Sequence, residues 1–199
     1  TLLEYALSEE PAAASVDLLA SASLEESVLE VSRALDVGSI PGIADAPAVL
    51  EGVRDILSER WAEDADLIRK LREWLWAEGQ LQSKLVDGKD GNHVDAAKFR
   101  DYFDYAEPIR TVPSHRALAV FRGRTQEWLD AKLILDEEVV PGKPGMAEGR
   151  IARHLGWSHA ARKSDDLIRK TVGWTWKVKL SLSLERDLFG RLREEAEKV

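Results

Sequence analysis

Apolar side chains recur every three or four positions along most of this chain, which is the spacing of one buried face of an α-helix. Gly and Pro interrupt the pattern, and helices are expected to end at those positions. The pattern predicts five helices outside the central stretch: over residues 23–35, 45–61, between a possible break near Glu63 and Gly79, and over 147–155 and 164–199. The second and third are interpreted as a helical hairpin or as one bent helix. The last has no proline after Ser164. It is interpreted either as one rod of roughly 50 Å or as two helices joined near residues 181–183.

The stretch over residues 98–124 is rich in aromatic side chains and changes from acidic to basic along its length. A first helix is expected to end at Glu107, because the proline that follows lacks an N–H and disfavours helical geometry in the residue before it. A second helix is predicted to begin with Ser114 as its N-cap and to end with Gly123 just past its C-terminus. The two short helices would then form a corner around the prolines.

Two segments alternate loosely between apolar and polar residues, 81–86 and 125–138, and together they predict a small two-stranded sheet. The loop over 87–92 mixes carboxylates with glycine but lacks the spacing and the terminal Glu of a calcium loop, so it is interpreted as a solvent turn. The expected fold class is mainly α: a multi-helix domain with a small two-stranded β element and a long C-terminal helix. The predicted division is a helical appendage over 1–40, a central region over 41–163 and a spine helix over 164–199.

Composition narrows the class of protein. The 199 residues are 44% hydrophobic and 32% charged, which is enough apolar material for a sizeable core. There is no apolar run of eighteen residues and no signal-peptide pattern, and the absence of cysteine excludes disulfides and thiolate chemistry. A cytoplasmic protein is expected.

Charge is distributed unevenly around a net value of −8, which argues against the whole chain gripping nucleic acid. Residues 1–60 carry 3 basic and 12 acidic groups, whereas residues 140–199 carry 13 and 8. Two basic groups are therefore candidates for binding phosphate. The first lies on the second central helix: Ser114, His115, Arg116, Arg122 and Arg124. The second recurs about every seven residues near the C-terminus: Arg162, Lys163, Arg169, Lys170 and Lys177.

Each group has a plainer interpretation. The C-terminal group resembles a solvated helix face whose Lys and Arg stems cover apolar neighbours. The central group begins a helix with Ser-His-Arg, although a helix N-terminus favours negative charge. An anion is therefore expected beside it, either an internal carboxylate of Asp101, Asp104 or Glu107, which is favoured, or a phosphate.

Two tryptophans in the C-terminal helix, Trp174 and Trp176, are too close in sequence to share one helix face. One of them is expected to point away from the core and to contact another part of a larger protein. Gly173 beside them costs about 1 kcal/mol inside a helix, so a bulky neighbour is expected to pack against it.

Three long segments carry a resemblance to a known family. They are VLEGVRDILSERWAEDADLIRKLREWLW (49–76), FRDYFDYAEPIRTVPSHRALAVFRGR (99–124) and WTWKVKLSLSLERDLFGRLREEAE (174–197). In order and content they resemble the bacterial Tex family of transcription accessory proteins, from about residue 42 to the end, whereas residues 1–40 match poorly.

The resemblance implies a piece of something longer. Tex proteins are several times the length of this chain and add RNase-H-like, helix-hairpin-helix and S1 modules, with nucleic-acid binding attributed mainly to the S1 end. None of those modules can be read in this sequence, which would correspond to the central and N-terminal helical region. The chain begins without Met and stops within a helical pattern, so an excised segment is expected.

The function predicted from the sequence is a non-catalytic scaffold that positions nucleic-acid-binding modules. Its expected partners are the remaining modules of the parent protein, nucleic acid (RNA or DNA) through the full-length protein, and the transcription machinery, with no membrane. One alternative is a direct DNA- or RNA-binding surface in the basic last third. The other is a phosphodiesterase that uses Asp104 and His115 as an acid–base pair. No catalytic residue, cofactor or metal ligand is expected, because the four histidines have no metal-binding spacing and no phosphate loop or nucleophile motif is present.

Overall fold

The computed structural model describes residues 46–138 and 140–198, so the helix predicted over 23–35 and the appendage over 1–40 lie outside the described residues. Helix predominates in these ranges, which confirms the mainly α class. The α-helices are α1 Ala46–Ala62, α2 Ala65–Glu78, α3 Ser114–Thr125, α4 Met146–His154, α5 Asp165–Trp174 and α6 Ser181–Glu197.

A three-stranded antiparallel sheet is present where two strands were predicted. Its strands are β1 Gln80–Leu85, β2 Asp104–Pro108 and β3 Leu129–Ile134, in the order β2-β1-β3. Strand β2 overturns the prediction of a helix ending at Glu107, because only a short 3₁₀ helix, Ala97–Tyr102, forms there. The backbone groups of β2 pair with β1 rather than with their own neighbours. Pro108 fits because it is the last residue of an outer strand, where proline is tolerated.

The long C-terminal helix is confirmed, with helical residues from Asp165 to Glu197. It contains a π-helical segment, Thr175–Leu180, just before the predicted junction at 181–183. Thr171 and Thr175 are buried there, and each hydroxyl donates a 2.7 Å hydrogen bond to the carbonyl four residues earlier. Such back-bonding competes with regular helical bonds and locally widens or bends a helix.

Helix ends depart from the predicted caps. Pro113 occupies the N-cap position of α3, with Ser114 as the first helical residue, and no side chain caps the end. Ser164 does precede α5, but its hydroxyl makes no capping hydrogen bond. The bulky neighbour expected at Gly173 is Glu148, whose carboxylate oxygen lies 3.6 Å from a Cβ placed on the glycine.

The described residues form two compact units. The first consists of residues 46–64 and 148–179, and the second of residues 65–138, 140–147 and 180–198. The boundaries predicted after residues 40 and 163 stay a prediction.

In the first unit, α1 packs on α5. Apolar side chains of both helices are buried: Val49, Val53, Leu57, Ile168 and Val172. Polar contacts add to this packing. His154 Nε2 lies 2.9 Å from Asp64 Oδ2, and Lys179 Nζ lies 3.8 Å from Glu59 Oε1.

In the second unit, α6 packs on α2 and α3, and α3 packs on β3. The buried face of α6 supplies Leu184, Leu188, Phe189 and Leu192. Phe121 of α3 meets Phe189 edge-on, with ring centres 5.5 Å apart, and we refer to these two residues as the phenylalanine pair. The helical periodicity of the sequence therefore marks the residues that form this core.

Gly123 lies inside α3 rather than after it, because the helix continues to Thr125. A Cβ placed on Gly123 would lie 2.7 Å from Leu129 Cγ and 3.2 Å from Phe99 Cδ1. The glycine is therefore required by close approach of β3 to the helix, and not by the backbone geometry of a helix end.

Gly123→Ala is expected to lower the unfolding free energy by about 1–3 kcal/mol, because crowding against Leu129 outweighs the better helix propensity of alanine. Urea denaturation followed by circular dichroism measures the change. A stabilised variant would show that Leu129 moves aside without cost.

Candidate functional site

The N-terminus of α3 has an internal anionic partner. The carboxylate of Glu107 lies 3.3 Å from Arg116 Nη1, and the hydroxyl of Tyr105 donates a hydrogen bond to the same carboxylate oxygen. Glu107 is one of the three acidic residues proposed for this role from the sequence. Arg116 would have to leave it before binding an external phosphate.

The electrostatics of this cluster agree with its geometry. Burial, followed by the hydrogen bond to Glu107, raises the pKa of Tyr105 to about 12. The hydrogen bond with Tyr105 and the charge of Glu107 raise the pKa of Arg116. Ser114 and His115 sit beside the cluster, and neither side chain makes a recorded hydrogen bond within the described ranges. Within the cluster, the charges of Arg116 and Glu107 therefore neutralise each other.

The C-terminal basic group is also tied to carboxylates. Arg162 bonds to Asp165 through its backbone N–H (2.9 Å) and its Nε (3.1 Å). Arg169 Nη2 lies 3.2 Å from Asp166 Oδ1. Arg162 and Arg169 are therefore engaged by carboxylates at the start of α5, and the interpretation as a solvated face stays a prediction.

The other three residues of this group differ in exposure. Lys163 is half-buried, and its ammonium nitrogen has no hydrogen-bond partner among the residues described. Lys170 and Lys177 are exposed. This group belongs to the first unit, whereas the five candidates on α3 belong to the second.

Asp165 has a structural role that the sequence did not reveal. It is fully buried and accepts further hydrogen bonds from Trp157 Nε1 (2.9 Å) and the backbone N–H of Ala160 (2.7 Å). Sequence reasoning assigned it to the first turn of a helix, where acidic residues are common. Asp165 does lie in the first turn of α5, and its carboxylate also holds together the loop that leads into that helix.

Trp174 is the tryptophan that points outward, with 42% of its surface exposed, whereas Trp176 is half-buried. Arg54 of α1 lies over the Trp174 ring, with its guanidinium carbon 4.9 Å from the ring centre. Val178, about one turn further on, is 46% exposed. The first unit thus presents an apolar surface made of Trp174 and Val178.

A second arrangement was missed by sequence reasoning and involves the phenylalanine pair. The guanidinium carbon of Arg124 lies 5.7 Å from the centre of the Phe189 ring, and that of Arg193 lies 5.0 Å from the centre of the Phe121 ring. Each helix therefore supplies one Phe and, about one turn later, an Arg that covers the ring of the other helix. The only signal in the sequence is an Arg three or four residues after each Phe.

Asp104 and His115, the candidate acid–base pair, make no hydrogen bond or ion pair with each other in the part of the chain that the structure describes. Within residues 46–138 and 140–198, no three His, Asp or Glu side chains come together in a metal-binding group. No helix in the same ranges combines the length and apolar character needed to cross a bilayer.

Comparison with known proteins decides the family. A family model described as Tex central region-like matches residues 26–199. The chain belongs to the Tex family. The match begins earlier than residue 42, so it takes in part of the segment over 1–40 that was expected to match poorly.

Similarity to individual proteins supports the same family. It is 46% identical over 160 residues to Protein tex of Bordetella pertussis and 45% identical over 169 residues to Protein YhgF of Escherichia coli. It is 40% identical over 180 residues to the Transcriptional accessory protein Tex of Neisseria gonorrhoeae. These alignments cover 78%, 84% and 90% of this chain but only 20%, 22% and 23% of the relatives. The segment therefore spans about a fifth of their length.

Proposed function

We propose that this Tex segment is a non-catalytic cytoplasmic scaffold that positions the nucleic-acid-binding modules of a longer transcription accessory protein. The name of the Neisseria gonorrhoeae relative supports the link to transcription. The proposed partners are the other modules of that protein and, through them, nucleic acid and the transcription machinery.

The observation that carries the proposal is the number of elements attached to α6. Arg72 of α2 pairs with Asp187 at 2.8 Å, and Leu133 of β3 donates its backbone N–H to Glu185 at 2.8 Å. The phenylalanine pair joins α6 to α3. One helix thus fixes two helices and the outer strand β3 in the second unit, as expected of a structural support.

The Trp174–Val178 surface is the proposed contact with another module. Tryptophan is among the residues most enriched at the energetic centres of protein interfaces. Arg54, held over the Trp174 ring, restricts the ring and lowers the entropy lost on binding.

Trp174→Ala is expected to weaken association between this segment and the separately produced remainder of a full-length Tex protein by about thirtyfold, the size of an interface hot spot. Isothermal titration calorimetry measures the affinity. Val94→Ala is the control, because Val94 is 81% exposed and lies in the second unit. An unchanged affinity in Trp174→Ala would refute the proposed contact.

The non-catalytic part of the proposal has its own test. Single-stranded and duplex nucleic acids incubated with the chain and a divalent cation are expected to remain intact. Cleavage that disappears in His115→Ala would instead establish the alternative acid–base mechanism.

A further inference from the structure

Arginines of the second unit fall into two sets. One set pairs with carboxylates: Arg69, Arg72, Arg116 and Arg191. The other six are also exposed, and no described carboxylate lies within ion-pairing distance of them: Arg100, Arg110, Arg122, Arg124, Arg186 and Arg193. Their charges are therefore not neutralised within the part of the chain that the structure describes.

Two of these unpaired arginines are held in place. The rings of the phenylalanine pair are only 4% and 6% exposed, and Arg124 and Arg193 lie over them toward solvent. A cation–π contact leaves the N–H donors of a guanidinium available to a ligand. It also restricts the side chain, so less entropy is lost on binding and the arrangement is preorganised.

Arg186 extends the same face of α6. It lies seven residues before Arg193, which is two helical turns, and Gly190 lies between them. A Cβ on Gly190 would meet nothing within 4 Å, so the backbone is open to a ligand there. We refer to Arg124, Arg186 and Arg193 as the arginine surface.

No carboxylate of α6 forms an ion pair with the arginine surface. Asp187 and Glu195 pair with Arg72 and Arg191, whereas Glu185 accepts a hydrogen bond from the backbone N–H of Leu133 and keeps its charge. Glu194 and Glu197 are exposed, yet Arg193 lies over Phe121 instead of pairing with Glu197 one turn away. Helix α3 contains no acidic residue at all.

We propose that the arginine surface binds the phosphodiester backbone of nucleic acid. Planar guanidinium groups match phosphate oxygens through paired hydrogen bonds, and a nucleic acid supplies phosphates at regular intervals to several separated arginines. The phenylalanine rings are buried beneath the guanidiniums, so no base can stack on them. Binding is therefore independent of base sequence.

The test is fluorescence anisotropy with a labelled RNA of mixed sequence and about 20 nucleotides, longer than the roughly 4–16 nucleotides of a typical single-strand site. The 199-residue chain is compared with the double variant Arg124→Gln/Arg193→Gln between about 0.05 and 0.2 M salt. Two lost phosphate contacts are expected to reduce the slope of log K against log salt by about 1.4 and the affinity at 0.1 M salt by about twentyfold. The matching DNA is expected to show the same loss.

A matched control distinguishes binding at the arginine surface from a general effect of positive charge. Arg69→Gln/Lys132→Gln removes the same two charges from exposed side chains that pair with Asp66 and Asp130, and it is expected to bind RNA almost as well as the original chain. Glu194→Gln/Glu197→Gln is expected to bind more tightly. The charge-conserving variant Arg124→Lys/Arg193→Lys is expected to keep the salt slope but lose part of the affinity.

Several outcomes would overturn the proposal. The proposal is wrong if the original chain does not bind RNA at low salt. It is also wrong if the test and control variants lose equal affinity for RNA. Stronger competition by poly-glutamate than by RNA of equal charge would show that the surface binds an acidic protein instead. Circular dichroism checks that the variants are folded, and if the glutamine variant is not, the lysine and Glu194/Glu197 variants decide the question.

Discussion

Asp165→Ala is expected to lower the unfolding free energy of the first unit by about 3–5 kcal/mol, one of the two largest effects we predict. The buried carboxylate accepts hydrogen bonds from Trp157, Ala160 and Arg162, and removing it leaves those donors without an acceptor. Urea denaturation followed by circular dichroism and by tryptophan fluorescence measures the loss. Fluorescence should respond early, because Trp157 is released when the loop opens.

The neighbouring residue provides the control. Asp166 is 69% exposed and faces Arg169 and His159 on the surface. Asp166→Ala is therefore expected to change the unfolding free energy by about 0–1 kcal/mol, as for other surface ion pairs. Equal effects of the two substitutions would show that the loop does not depend on Asp165.

The contribution of Asp165 also depends on pH. Burial by itself would raise the pKa of this carboxyl, but the hydrogen bonds from Ala160, Trp157 and Arg162 outweigh burial and hold the pKa well below its ordinary value. The ionised form is thus favoured in the folded state. Its stabilisation is fully present above the unfolded pKa of about 4 and is lost as pH falls through the folded pKa. The stability difference between the original chain and Asp165→Asn should be constant above about pH 5 and should shrink below about pH 4.

Phe189→Ala is expected to lower the unfolding free energy of the second unit by about 3–5 kcal/mol, because it empties the contact between α3 and α6. The ring is only 6% exposed, and the guanidinium of Arg124 rests on it. Urea denaturation gives the magnitude. The change should also alter the near-ultraviolet circular dichroism, since the packing of Phe121 is lost with it.

Gly190→Ala is the matched control for that prediction. It lies next to Phe189 in the same helix, is exposed, and has open space where a Cβ would be placed. Alanine is expected to stabilise the helix by about 0.5–1 kcal/mol. A loss of less than about 1 kcal/mol in Phe189→Ala would mean that other contacts hold α6 in place.

Helices were the part of the fold most readily predicted. The helix predicted between a break near Glu63 and Gly79 corresponds to α2 (Ala65–Glu78), and the one predicted over 147–155 corresponds to α4 (Met146–His154). The run of helical residues after Ser164 was predicted as well. Helical hydrogen bonds join residues four apart, so the apolar spacing that signals them is contained in a short window of sequence.

Strand β2 shows where local reasoning failed. The segment was assigned to a helix because of its aromatic and acidic residues and the proline after Glu107. Its partner is β1, whose pairing with Asp104–Pro108 closes a loop of many residues. No feature inside the segment records that pairing, and β propensity depends strongly on such context.

The candidate sites also divide into features that the local sequence determines and features that the tertiary structure decides. The amino-acid sequence alone determined the family, the mainly α class and the long C-terminal helix, because these follow from long motifs and local periodicity. Only the tertiary structure decided which charges are neutralised: Arg116 by Glu107, and Arg162 by a buried Asp165. Only the packing of α3 on α6 places Arg124 and Arg193 over the phenylalanine pair, because contacts between residues far apart in sequence are set by the assembled core and not by either helix alone.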